Sequence, residues 1–484
     1  MIPLTLAEIA AATGGALAGG ATGDELVSGS VEFDSRKVTP GGLFVAIAGE
    51  RADGHDFAAK AVADGAAGVL ASRDPGVPSV VVEGDILIAL GKLARAVVDR
   101  LPGLTIVGLT GSSGKTSTKD LLAHLLAPLG PVIAPPGSFN NELGHPYTVL
   151  KADPSTRFLV LEKGARGLGH IRWLTEVAPP RIGVVLNVGA AHAGEFGGIE
   201  VTAQAKGELA EALPADGVAI LCADDPRVRA MADRTSARVV LTGQAPDAQV
   251  RAENVLLDEL GRPEFTLVTP AGEVPVRLAL HGEHHVGNAL AAAAVALEAG
   301  LPLAQVAELL GTARAASRWR MEVTERADGV TVVNDAYNAN PDSMRAALKA
   351  LKAMTHGGRR AWAVLGQMNE LGEDSLAEHD AIGRLVVRLN VDRLVVVGEQ
   401  AGPIHAGACL EGSWGDESTH VPDIAAAVEV LRAELRPGDV VLVKASRSVG
   451  LERIADALLS QEPHQQEHEH NDGTVRGATE GDAE

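Results

Sequence analysis

Residues 105–118 read TIVGLTGSSGKTST, an apolar run that enters a glycine-rich turn and ends Gly114-Lys115-Thr116. Backbone N–H groups of such a turn point inward and cradle phosphate oxygens. A lysine there reaches the outer phosphates, and a threonine hydroxyl ligates Mg²⁺. The spacing is T-G-x-x-G-K-T, with Leu109 where the commoner pattern has its first glycine and Gly111 making the tight turn. Strand, loop and a following helix over Thr118–Leu126 stand in register, which argues against a chance turn. The chemistry this predicts is binding of a nucleoside triphosphate.

Other polar residues sit where apolar runs end. Glu162 closes FLVLE; Asn187 closes IGVVLN, and His192 follows shortly after. In open α/β sheets, ligands lie at the carboxyl ends of strands, so Glu162 and His192 are candidates to face the phosphates held by Lys115. A carboxylate suits Mg²⁺, and an imidazole is a less usual ligand for it. The alternatives are a strand-end surface charge and a loop histidine satisfied by backbone. Lys206, in QAKGE on a helical segment, reads by itself as a solvated lysine. The stretch LHGEHHVGNALAAA carries His281, His284 and His285 without the cysteine or acidic pattern that would complete a zinc site. Asn288 there opens an alanine-rich helix and either caps it or touches a base. In TVVNDAYNANPDSMR a strand ends at Asp335, suited to a ribose hydroxyl or to a local Asn/Asp turn. Pro341 and Asp342 mark the next helix start.

The elements that must hold these residues form an α/β series. A length of 484 residues is too much for one core, and about three domains are expected. Residues 1–102 mix short strands (31–36, 43–47) and helices around a Pro40-Gly41-Gly42 turn. Residues 103–315 alternate strands (105–109, 158–162, 182–187, 217–222) with helices, which predicts a mostly parallel sheet with an antiparallel strand added near 274–280. A second series over 316–460, with strands at 331–334, 361–365, 393–397 and 440–444, reads as a Rossmann-like unit without a second P-loop. Pro102-Gly103 is a candidate hinge, and two α/β units on one chain suggest a cleft that closes on ligand. Residues 461–484 are polar and charged and are expected to be a solvated, disordered tail.

Composition narrows the function. With 42 Lys plus Arg against 63 Asp plus Glu, the net charge of −21 disfavours general nucleic-acid binding. The two cysteines, Cys222 and Cys409, are far apart and fit a reducing cytoplasm. The N-terminus lacks a signal-peptide pattern, and Ala289–Ala299 is too short to span a bilayer.

Taken in order, the motifs resemble those of the Mur ligases of peptidoglycan synthesis over roughly residues 25–455. The pieces are DSRKVTPGGLFVAIAG, DGHDF, LTGSSGKTSTKD, SFNNELGHP, LEKGA, NVGAAHAGEFGG, QAKGEL, HVGNALAA, RWRMEV, NDAYNANPDSM, LGQMNELGEDS and GDVVLVKASRS. The P-loop form alone is shared with folylpolyglutamate synthase. YNANPDSM with NNELG resembles the branch that joins D-Ala-D-Ala to a UDP-N-acetylmuramoyl-tripeptide, rather than branches adding one amino acid. A P-loop regulatory ATPase is disfavoured by the order of motifs.

The resemblance implies ATP-dependent ligation by a cytoplasmic monomer. It places Gly111, Ser112, Ser113, Gly114, Lys115, Thr116 and Ser117 on ATP. It places Asn288, Arg320 and Asp335 at adenine, γ-phosphate and ribose. Thr116, Glu162, His192 and Lys206 would serve Mg²⁺, with Lys206 as a CO₂-derived carbamate. Catalysis is expected from Lys115, Lys206 and His192. Ser35 and Arg36 would meet the uridine diphosphate, Asn140 and Asn141 the nucleotide-sugar substrate, and Asn338, Lys444 and Ser446 the incoming dipeptide. Departures from the usual family residues are Lys163 for methionine, Gln367 for aspartate, His285 for asparagine and Ala445 for glycine.

Overall fold

The computed structural model describes residues 1–49, 52–189, 198–412 and 417–460. His192 and the tail lie outside these residues.

The P-loop strand Thr105–Thr110 is buried along nearly its whole length and lies in a nine-stranded sheet between Phe158–Glu162 and Ile182–Val185, parallel to both. Continuous apolar runs suit a position with both faces covered. The sheet continues through Val218–Cys222, Arg238–Gly243 and Val250–Leu257, then adds antiparallel Pro263–Thr269 and Gly272–Arg277. The added antiparallel strand thus begins and ends slightly earlier than its sequence pattern implies. One face packs helices Lys115–Leu126 and His285–Glu298 into a single core.

The first unit has a five-stranded sheet in the order Ala16–Ala18, Ser79–Val81, Gly68–Ala71, Leu43–Val45, Val31–Glu32. The strand expected over 31–36 stops at Glu32 and gives way to a 3₁₀ turn over Ser35–Lys37. Asp34 causes this: its carboxylate accepts from the Arg36 backbone N–H (3.1 Å) and from the Arg36 guanidinium, a local bond that competes with the ladder. Helix Ile86–Asp99 joins this unit to the next. Its Leu90 and Leu93 share one core with Leu159 and Leu161 of the central sheet.

The third unit is a six-stranded sheet in the order Glu322–Glu325, Thr331–Asn334, Val440–Lys444, Ala361–Leu365, Arg393–Val397, Ser418–Val421. All pairings are parallel except the first. Its two faces carry separate cores. The last strand in sequence sits next to the first parallel one, so the carboxyl ends of Thr331–Asn334 and Val440–Lys444 open on the same side.

Candidate functional site

Gly114 ends the P-loop with φ +81° and opens helix Lys115–Leu126. A Cβ there would run into Oδ1 of Asn288, so only glycine fits both the dihedral and the space. Asn187 shapes the loop from the neighbouring strand end. Its Oδ1 accepts from the Ser113 N–H (2.9 Å) and its backbone oxygen from the Ser112 N–H (3.1 Å). Ser112 Oγ and Gly189 exchange bonds of 2.9 and 3.2 Å, which tie down the other side. Lys115 Nζ folds back to its own loop and donates to Gly111 O at 2.6 Å. Burial draws its pKa below the ordinary lysine value; Glu162 opposes that shift and Arg320 reinforces it.

Glu162 is fully buried at the end of its strand. Its Oε2 accepts from Ser138 Oγ (3.1 Å), and Oε1 has no partner among the described residues. Lys206 lies on helix Ile199–Glu211, buried, with no hydrogen bond or ion pair among the described residues. Burial, and then the charge on Lys115, pull its pKa well below the usual range. The solvated lysine read from its local sequence is therefore replaced by a dry amine beside the P-loop. A buried carboxylate oxygen without a donor and a threonine hydroxyl are oxygen ligands of the kind a divalent cation takes, and Lys206 would add to them only as a carbamate.

From the third unit come Arg320 and the Asp335–Lys444 pair. Arg320 stacks on the Tyr337 ring at 4.2 Å and its Nη2 donates to Thr116 Oγ1 (3.3 Å), crossing between units. Trp319 and Met321 on either side have φ of +60° and +49°. Each such non-glycine residue costs about 1–3 kcal/mol, a strain that persists where surrounding contacts over-determine the backbone. Lys444 is buried, with Nζ 2.6 Å from Asp335 Oδ2 and 2.8 Å from Asn338 O. Asp335 Oδ1 accepts from Met321 N–H (3.1 Å), so the pair also anchors the Arg320 segment.

Most of these groups, though not Glu162, border one cavity of about 760 Å³ walled by all three units. It brings together Ser112, Ser113, Gly114, Lys115, Thr116, Ser117, Asn140, Asn141, Lys206, Asn288, Arg320, Asp335, Asn338 and Lys444. Gly111 and Glu162 stand behind the wall. Ser446 is buried away from it, its Oγ accepting from Asn369 N–H (2.8 Å). Ser35 and Arg36 do not line the cavity. Their neighbours Phe33 and Lys37 do, because Arg36 is turned onto Asp34. Asn288 is in the first turns of helix His285–Glu298 rather than at its start, and it faces the P-loop instead of capping. Arg166, His170, Asn187, Tyr337 and Ser343 also line the cavity and were missed. Asn187 had a sequence signal in its place at a strand end, and Tyr337 and Ser343 lay inside the NDAYNANPDSM motif without being given a role. The others sit in loops or at helix starts, where no periodicity marks them.

Models of this family match the chain in three stretches: the Mur ligase family catalytic domain over residues 29–101, the Mur ligase middle domain over 109–296, and the Mur ligase glutamate ligase domain over 319–447. The chain belongs to the Mur ligase family. It is 56% identical to the UDP-N-acetylmuramoyl-tripeptide–D-alanyl-D-alanine ligase of Mycobacterium tuberculosis (strain ATCC 25618 / H37Rv) over 96% of this chain and 99% of that one. A crystal structure of MurF from Acinetobacter baumannii superposes with a TM-score of 0.85 at 31% identity, covering 95% and 99% of the two chains. MurF from Thermotoga maritima in complex with ADP gives 0.78 at 30% identity, covering 89% and 97%. The α/β, three-domain architecture is thus that of these Mur ligases. No helix among the described residues is long and apolar enough to cross a membrane.

Proposed function

We propose that this chain is an ATP-dependent ligase joining D-alanyl-D-alanine to a UDP-N-acetylmuramoyl-tripeptide in peptidoglycan precursor synthesis, acting as a cytoplasmic monomer with domain boundaries near residues 102 and 316. The observation that carries the reading is the single cavity in which the P-loop, Lys206, the Asn140–Asn141 loop and Arg320 share one space. The strong similarity to a D-alanyl-D-alanine ligase over nearly the whole length supports it.

A carboxylate does not acylate an amine at neutral pH, because its carbonyl carbon is a poor electrophile. The tripeptide carboxylate therefore attacks the γ-phosphorus of ATP, ADP leaves, and an acyl phosphate forms. The dipeptide amine then attacks the acyl carbon, loses a proton, and expels phosphate. Every partner in the first step is anionic. Lys115 and Arg320 must offset that repulsion, with P-loop N–H groups holding the β- and γ-phosphates in line. Ser117 and Asn288 border the nucleotide, and Asp335 is assigned the ribose. Thr116, Glu162, His192 and a carbamate on Lys206 are the residues that would hold Mg²⁺, which when bound supplies further charge neutralisation. Lys37, beside Ser35 and Arg36, offers a cation to the uridine diphosphate. Asn140 and Asn141 face the tripeptide, and Asn338 and Lys444 the dipeptide end, with Ser446 behind them.

The test is mass spectrometry of the product from ATP, D-Ala-D-Ala and purified UDP-N-acetylmuramoyl-tripeptide, with phosphate release followed in parallel. Release should require both acceptor and amine. Equal turnover with a single amino acid in place of the dipeptide overturns the reading.

A further inference from the structure

Lys163 follows Glu162 in the chain, so strand alternation sends its side chain to the opposite face, away from the cavity. Its side chain is fully buried, and no carboxylate pairs with it among the described residues. Instead Nζ lies 2.9 Å from Nε2 of His145, 3.0 Å from Leu174 O and 3.4 Å from Ala178 O. The two carbonyls close helix His170–Val177, a place that favours a donor. His145 belongs to helix Gly144–Val149, and among the described residues Nζ is its side chain's one polar partner, since Nδ1 has none.

That helix holds the loop of Asn140 and Asn141. His145 N–H donates to Asn141 O, Gly144 N–H to Asn141 Oδ1, and Gly164 N–H to Asn140 O, each at 2.9 Å. Asn140 Nδ2 donates to Ser138 Oγ (2.9 Å), which donates to Glu162 Oε2 (3.1 Å). The bonds close a ring from Lys163 through His145 and the loop back to Glu162.

We propose that Lys163 is a positioning residue for the acceptor-substrate wall: through His145 it fixes the 138–145 segment against Glu162, and so sets where the tripeptide end lies. The proposal rests on the ligase reading for its functional consequence but not for its structural one. Without Nζ the buried His145 ring has no partner at all, and that cost falls on the helix that carries the loop. A methionine can follow the lysine's path, so Lys163→Met removes the donor without removing volume.

Two measurements test it. Hydrogen exchange needs no substrate: in Lys163→Met, amides of 138–149 should exchange about tenfold faster while those of 115–126 stay as in the wild type. In steady state, KM for the UDP-tripeptide should rise about tenfold with KM for ATP within about twofold. Adding His145→Val, which removes the stranded ring, should recover most of both effects. If Lys163→Met does not fold, His145→Val alone removes the same bond and should loosen the same segment. Unchanged exchange, a rise equally large in 115–126, equal changes in both KM values, or a double variant worse than either single overturns the proposal. A wild-type chain that makes no amide instead sinks the ligase reading and leaves the exchange result to decide this one.

Discussion

In the proposed ligase Lys115 is the residue on which the chemistry most depends, and its environment says how its loss will show. Among the described residues its Nζ hydrogen-bonds only Gly111 O of its own loop, so no bond to another element is lost with it. Lys115→Ala should keep the wild-type melting temperature and lose ligation by about three orders of magnitude or more, since charge on the transferred phosphoryl is left uncompensated. Ligation within tenfold of wild type places the phosphate chemistry elsewhere. Lys206→Ala should lose activity too, and a small carboxylic acid in the assay should restore part of it by filling the vacated position. Lys206→Arg should do no better than alanine, because arginine stays positive and takes up no CO₂. An active Lys206→Arg rules out the carbamate. His285 makes a pH prediction. Burial, then His284 and His281, hold its pKa well below the ordinary value, and its Nε2 has no partner among the described residues. The folded state therefore keeps it neutral while the unfolded chain binds a proton below about pH 6.5. This contribution is fully present above that pH and is lost as pH falls. His285→Asn should accordingly flatten the fall in urea midpoint between pH 7.5 and pH 5.5; an unchanged slope shows that His285 does not titrate with unfolding.

At the scale of elements, the P-loop turn is tightly constrained. Gly114 combines positive φ with a side chain of Asn288 where a Cβ would stand. Gly114→Ala should weaken ATP binding at least tenfold in calorimetry while leaving circular dichroism unchanged; normal affinity shows that the loop yields. The strands were largely legible in the sequence. Phe158–Glu162, Thr331–Asn334, Ala361–Leu365, Arg393–Val397 and Val440–Lys444 stand at the residues their apolar runs mark, because strands covered on both faces are apolar throughout. What misled was side-chain chemistry. Asp34 ended a strand by bonding locally, and in doing so turned Arg36 out and left Phe33 and Lys37 on the cavity. A motif marks a segment; which of its side chains faces a ligand is set by bonds to residues distant in sequence. Lys163 shows this well, since as a letter it was only a departure from methionine.

The whole molecule is unevenly joined. The first two units share an apolar core through Leu90, Leu93, Leu159 and Leu161, whereas the third has its own cores and shares none with the second, which it meets through polar bonds and through Ala350 and Met354 set against Gly282 and Gly261. The segment between them is fastened at Ser317: its N–H and Oγ reach Asp120 at 2.9 and 3.1 Å, and Lys119 Nζ donates to its Oγ at 3.0 Å. Asp120→Ala should free that segment, lowering kcat about tenfold with ADP affinity within about threefold, because the placing of Arg320 over the P-loop rather than the P-loop itself depends on it. An equal loss in ADP affinity assigns Asp120 to the P-loop instead.

Lys119 and Asp120 belong to the P-loop helix itself, so the segment that leads into the third unit is pinned to the element whose first turn carries Lys115 and Thr116. Arg320, a little further along the chain, reaches Thr116 Oγ1, while the Met321 N–H holds Asp335, and Asp335 and the Asn338 carbonyl both hold Lys444. One relay of polar contacts thus runs from the helix that opens at the P-loop to the wall at Asn338 and Lys444, and slack introduced at Ser317 should be felt along all of it.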